Sequence, residues 1–442
     1  MTERLGAPGE RLSRSYSLCA KGLVSSPIEV ISAEKPQVQP HSGGAFAYPG
    51  FRWFFVGLVL LSLGFWIGDI TQRWLAQELT GSPLSVGFIG FMASLPILLF
   101  SLPGGVLADR VDRVKLIAVS RSFAALLALI LALLAWLELV QLWHVALGAF
   151  VLGTVVALEL PGRQALFPNL INKDDLMHAV AIYSGVWSSS TILGPAVAGL
   201  LITRIGTAGC FLATAGFYLA AVAAFLQVNR YVDHRPEDFS QEAPWGALLG
   251  GLQYIRTSPI LLGLLGFALL LGLFGGTIYQ ALLPSFAADV LHGDASTFGL
   301  LLTASGIGSL GANVLLALKA DLQSKGRLVV ATSLGFGVTL VLLSLSSTTP
   351  YAMVAMALSG TLNAAFMTLA TTLIQANVTD EMRGRVMSVY MLTWGVTAFG
   401  SLFMGFLGST LGVPMAIAVG GTLVIISAAG LLAKVPEVAR LQ

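Results

Sequence analysis

Charge is scarce in this sequence. Asp, Glu, Lys and Arg make up 10% of its 442 residues, against roughly 25% in a soluble domain, whose surface must face water. A chain this poor in charge cannot cover a water-soluble globule. The net charge of +2 leaves no strongly basic surface, so nucleic acid is not an expected partner. Cysteine is nearly absent: Cys19 and Cys210 stand far apart, which gives neither a disulfide framework nor a thiolate metal site. His41, His144, His178, His234 and His292 are scattered singly, so no metal is expected. No cleavable signal sequence is visible, because residues 1–50 mix Ser, Pro, Glu and Arg without an apolar core. They read as a flexible cytoplasmic tail, with the first apolar span as an uncleaved signal-anchor.

What the chain has in abundance is apolar sequence, at 56% of residues, gathered into long runs such as Val56–Phe65 and Phe123–Trp136. About 20 apolar residues in a helix cross a hydrocarbon core of roughly 30 Å. Inside that core every backbone polar group needs an internal partner, which leaves helices or closed barrels. Barrel strands alternate apolar and polar residues; these runs do not, so the spans are helical. Twelve are expected, near 53–78, 84–107, 115–138, 143–167, 176–203, 208–229, 258–289, 297–318, 328–347, 350–376, 385–409 and 413–433. Residues 51–229 and 258–434 then form two six-helix bundles. The polar stretch 230–257 is a cytoplasmic connector, whose Trp245–Tyr254 part suits a short interfacial helix, and 435–442 is a cytoplasmic tail.

With the N-terminus inside, only Arg73 and Arg204 of the 24 basic residues lie in or beside the outer half, and the others fall towards the tail, the connections after every second span or the C-terminus. That asymmetry predicts both termini in the cytoplasm. The halves also repeat. Ala108-Asp109 followed by Leu116-Ile117-Ala118 recurs as Ala320-Asp321 followed by Leu328-Val329-Val330. Such duplication is a transporter plan, with the substrate site near mid-membrane between the halves.

The sharpest motif is Gly105-Val-Leu-Ala-Asp109-Arg110-Val-Asp112-Arg113-Val-Lys115, between spans 2 and 3. The glycine permits a tight helix end, and Asp109 can pair near a helix N-terminus. The motif resembles the loop 2–3 signature of the major facilitator superfamily, with Asp112 in place of a glycine and Lys115 one position late. Asp321 and Arg327 carry a looser second copy. Leu160-Pro-Gly-Arg163-Gln164 and Glu78-Leu-Thr-Gly-Ser-Pro83 resemble the exporters related to enterobactin and macrolide efflux proteins. The resemblance implies an all-α fold of two pseudo-symmetric bundles in the cell inner membrane. It also implies a cytoplasmic gate in which Gly105, Asp109, Arg110, Arg113, Asp321 and Arg327 meet the start of span 11 at Asp380 and Arg383. The other reading of those charges is that they set topology and cap helices. Gly194-Pro195 with Gly199 resembles part of the drug-antiporter signature on span 5; close helix packing accounts for it equally well. Gly306, Gly308 and Gly311 match a dinucleotide fingerprint, but no strand precedes them, so packing is the reading.

Ionisable groups inside a bilayer are costly and face a partner or a cavity. Asp69 and Arg73 lie four apart on span 1, one turn apart on one face, and Glu159 lies on span 4 ahead of Arg163. By resemblance, spans 1, 4, 7 and 10 line the central cavity. Asp69 and Arg73 either neutralise each other, or Asp69 or Glu159 takes a proton with Arg73 and Arg163 beside them, or these groups contact the substrate directly. With no basic neighbour in sequence before Arg163, Glu159 is the carboxylate most exposed to desolvation. Trp66, Gln72, Tyr279, Gln280, Asn363 and Trp394 are the polar and aromatic candidates for a cavity that takes an amphipathic or lipophilic small molecule. No nucleotide-binding loop and no nucleophile–base pair is present, so neither ATP, another cofactor nor an enzymatic reaction is expected. The reading is a monomeric secondary exporter, its partners being the small molecule, protons and membrane lipid. A lysophospholipid transporter and a non-transporting membrane sensor are the alternatives.

Overall fold

The computed structural model describes residues 44–232, 244–319 and 324–441, without the side chains of Leu102, Ala108, Asp109, Pro244, Trp245 and Ala247; among these residues helix is the only regular structure. The N-terminal part carries α1 (Pro49–Thr80), α2 (Pro83–Arg110), α3 (Arg113–Trp136), α4 (Leu142–Leu166) and α5 (Leu176–Val228). The C-terminal part carries α6 (Pro244–Thr257), α7 (Pro259–Leu271), the short α8 (Thr277–Ala281) and α9 (Leu283–Ser285), α10 (Ala295–Leu318), α11 (Lys325–Ser344), α12 (Thr349–Ala376), α13 (Asp380–Leu411) and α14 (Val413–Lys434).

The helix starts follow from local chemistry. Proline occupies the first turn of α1, α2, α7, α12 and α14, where its missing N–H costs nothing and its φ is already helical. Asp112 accepts from the backbone N–H of Val114 and Lys115 at 2.9 and 3.1 Å. The residue that departs from the family glycine is thus the N-cap of α3. α2 runs on through Gly105 to Arg110, and a side chain at Gly105 would meet open space. The tight helix end expected at that glycine does not occur.

Among the described residues eleven helices are long and apolar enough to cross a membrane, against the twelve expected. The difference is one junction. α5 has 53 residues with no loop inside it, but Gly206 is non-helical, at φ 71° and ψ 176°. Phe54 of α1 stacks on Tyr183 and meets Phe225 edge-on, with ring centroids 6.4 and 5.8 Å away. On a straight helix those two partners would stand roughly 60 Å apart. The chain therefore reverses at Gly206, a backbone conformation that glycine tolerates and other residues do not.

The ends depart from the expected domain limits. Residues 44–47 form a 3-10 turn that buries Ala45, and Tyr48 donates to Asp175 at 2.7 Å, so ordered structure begins before position 51. Pro436–Arg440 forms a docked turn with Val438 fully buried, and Gly326 N–H donates to Leu441 O at 3.0 Å. It is not a free tail. Residues 1–43 and the 233–243 part of the connector lie outside the described residues; a short helix does occur where one was expected within the connector, as α6.

Candidate functional site

One face of α1 carries Asp69, Arg73 and Gln77 at four-residue spacing, which stacks them on successive turns. Arg73 grips Asp69 bidentately, donating from Nε to Oδ2 at 2.9 Å and from Nη2 to Oδ1 at 2.8 Å. Its remaining amino group, Nη1, donates to the backbone carbonyl of Gln280 in α8 at 3.0 Å. The Arg73 side chain is 7% exposed and that of Asp69 19%. Gln280 Oε1 accepts from Ser401 of α13 at 3.4 Å, and a side chain at Gly90 of α2 would crowd Arg73 Nη1. One guanidinium therefore sits where α1, α2, α8 and α13 converge. A turn further on, Gln77 Nε2 reaches both carboxylate oxygens of Asp289 at 3.2 Å. Its Oε1 accepts from Ser285 Oγ at 2.5 Å.

A second charged group lies deep in the N-terminal part. Glu159 of α4 is flanked by two arginines: Arg121 Nε of α3 donates to Oε2, and Arg163 Nη1 donates to Oε1 at 3.1 Å. The Arg121 guanidinium carbon stands 5.0 Å from the Tyr218 ring centroid, a cation–π contact from the second limb of α5. Arg121, Glu159 and Arg163 are 1%, 0% and 3% exposed. Glu159 was expected to have little positive charge near it beyond Arg163; Arg121, approaching from another helix, supplies a second guanidinium. Its legible signal was an arginine several residues inside an apolar run, which needs a buried counter-charge.

The other cavity candidates are dispersed. Tyr279 OH and Ser359 Oγ of α12 share a hydrogen bond of 2.6 Å. Trp66 Nε1, Gln72 Oε1 and Asn363 Oδ1 are buried without a hydrogen-bond partner among the described residues, whereas Trp394 is 52% exposed. Trp66 packs on the bare backbone of Gly194, where any Cβ would overlap its ring. Of the gate candidates, Arg113 Nη1 donates to Ala165 O at 3.2 Å. Arg383 pairs with Asp380 of its own helix at 2.7 Å, and Arg110 and Arg327 are exposed. Asp321 and the Asp109 side chain lie outside the described residues.

Among the described residues, backbones of the two parts approach closely at glycine crossings. Gly87 of α2 meets Gly405 of α13, and Gly199 of α5 meets Gly299 of α10. In each pair a Cβ would fall 2.5–2.8 Å from a backbone carbonyl and about 3 Å from the opposite glycine Cα. Gly299 stands to Gly87 at the same sequence offset as Asp321 to Asp109, so the two crossings are copies of one contact. Pro195 lies between Gly194 and Gly199, and its carbonyl faces Gly299; the antiporter-like signature is here a packing surface. Gly405→Ala is expected to force α2 and α13 apart, an overpacking cost of about 1–3 kcal/mol. Distances between spin labels on those helices would lengthen. Gly430→Ala, which fills open space, should leave them unchanged.

Residues 43–442 match a family model described as transmembrane secretion effector. The chain is 28% identical over 374 residues to the staphyloferrin A transporter of Staphylococcus aureus, covering 82% of this chain and 90% of that protein. It is 27% identical over 367 residues to the enterobactin exporter of Escherichia coli, covering 82% and 86%. A solved POT family transporter in complex with 5-aminolevulinic acid superposes with a TM-score of 0.73 at 12% identity, over 88% of this chain and 97% of that one.

Proposed function

The chain belongs to the transmembrane secretion effectors of the major facilitator superfamily and is a transport protein, not an enzyme; from that membership we propose that it exports an amphipathic small molecule in exchange for protons. Its cargo class is that of a siderophore or similar compound, in keeping with the staphyloferrin A transporter and the enterobactin exporter it resembles. The transport cycle is alternating access between two six-helix bundles, 51–229 and 258–434. Because a helix of 53 residues is roughly 80 Å long and a bilayer core roughly 30 Å thick, the two limbs of α5 count as two crossings, giving twelve. The distribution of basic residues supports an orientation with the Arg110 end and both termini on the cytoplasmic side of the inner membrane. The Gly81 end then faces outward, and a cysteine at Ser347 should react with an impermeant thiol reagent in intact cells. Protection of that cysteine would reverse the orientation.

The observation that carries the mechanism is the shared guanidinium. Arg73 holds Asp69 in its own helix and the Gln280 carbonyl in the other bundle. A proton on Asp69 removes the only charge opposite Arg73 in this contact. The cation must then find water, cargo or a new partner, and the contact between α1 and α8 changes with it. A ligand drives alternation only through different affinities for the two states, and a proton at Asp69 meets that condition. Glu159 and Arg163, deeper and tied to Arg121, serve as a buried strut for α3 and α4. A cytoplasm-closed state would bring Gly105, Asp109, Arg110, Arg113, Asp321, Arg327, Asp380 and Arg383 together as a gate.

Reconstitution into liposomes with an imposed pH gradient tests the reading, screened against siderophores, macrolides, cationic dyes and lysolipids. Gradient-driven movement of a siderophore or drug is the expected outcome. Movement of lysolipid alone would replace the cargo class, and movement of none would overturn export.

A further inference from the structure

We propose that Gln77, Ser285 and Asp289 form a polar lock between the bundles that shuts the Gly81 end and is broken and remade in each cycle. The proposal rests on the alternating-access reading above. Gln77 lies in α1, while Ser285 and Asp289 lie just past α8, more than 200 positions along the chain. Nothing local brings them together; only closure of the two parts does.

The residue types suit a lock better than a permanent joint. An amide is the side chain that serves a hydroxyl donor and a carboxylate acceptor at once, and Gln77 uses its two ends in that way. The carboxylate makes its side of the contact charge-assisted and therefore stronger than a neutral one. Gln77 is 5% exposed and Ser285 fully buried. Separating them strands a buried amide and a hydroxyl unless water enters, because unsatisfied buried polar groups are costly. The Gln77–Ser285 half of the contact is therefore either made dry or broken wet, while exposed Asp289 closes its outer, solvent-facing side. Two neighbours share the same seam. Arg73, one turn back on the same face, holds Gln280, and the Gly87–Gly405 crossing closes α2 against α13. A change of partner at Arg73 reaches Gln77 through one turn of rigid helix.

The test uses the full-length chain in lipid nanodiscs, free of Cys19 and Cys210. Nitroxide labels go at Leu79 and Leu411, which are both exposed at the Gly81 end. Gln77→Glu sets a second carboxylate against Asp289. It is expected to raise the population with a separated Gly81 end about fivefold or more, the range of ordinary coupling between states. Gln77→Ala, which removes the contacts without adding charge, should shift the distances the same way by less. Adding Asp289→Asn to Gln77→Glu exchanges donor and acceptor, so the closed distance should return. A packing role alone would not respond to that exchange. Unchanged distances in both single variants, or a double variant as open as Gln77→Glu, would overturn the lock. The distances are read without transport, so that outcome would leave proton-driven export standing, while failure of export in liposomes would leave the lock standing.

Discussion

Glu159→Gln is expected to cost about 3–5 kcal/mol of stability, the usual penalty for removing one partner of a buried ion pair. The carboxylate is the single negative group between Arg121 and Arg163, and all three side chains are at most 3% exposed. Without it two guanidinium groups remain in a low-dielectric interior with no counter-charge. The cation–π contact of Arg121 with Tyr218, worth about 2 kcal/mol or more when desolvated, is already present with Glu159 in place and so does not compensate for its loss. The melting midpoint of the purified protein should fall steeply. Replacing Arg121, Glu159 and Arg163 together by neutral residues should recover much of it, since a buried ion cluster is replaceable as a unit. A stable Glu159→Gln protein that binds cargo but no longer responds to a pH gradient would refute the strut and return the proton to Glu159.

The second large effect belongs to Asp69. Asp69→Asn keeps the shape of the side chain but removes its charge, so the bidentate grip of Arg73 is reduced to donation from the cation to one uncharged amide oxygen. Hydrogen bonds to charged groups contribute about 1.5–3 kcal/mol each. Losing one such interaction from one state of the cycle changes the state ratio by a factor of about ten to a hundred. Uphill export should be abolished and its pH dependence should vanish with it. Asp69→Glu keeps an ionisable acid one methylene further out and should restore part of the pH response. Full pH-driven export by Asp69→Asn in liposomes would remove this residue from the coupling path.

The two carboxylates differ in how far sequence alone could take them. The Asp69–Arg73 pair was legible because four-residue spacing on a helix is local geometry, set by 3.6 residues per turn. The apolar run lengths likewise determined which segments become helices, the prolines their starts, and the paucity of charge their membrane setting. The Asp112 cap needed only three consecutive backbone groups. Nothing of that kind locates Arg121 beside Glu159, 38 positions away, or Gln77 beside Asp289. Those pairs depend on how far each helix is rotated about its axis and slid along its neighbour. A helix that is apolar all round carries no stripe from which to read that rotation. The reversal at Gly206 was equally hidden as a structural event, because two apolar spans with a short link look the same whether they bend sharply or flow on. Small residues decided these matters in three dimensions. Gly87 on Gly405 and Gly199 on Gly299 let backbones touch, and that approach set which polar side chains met across the seam.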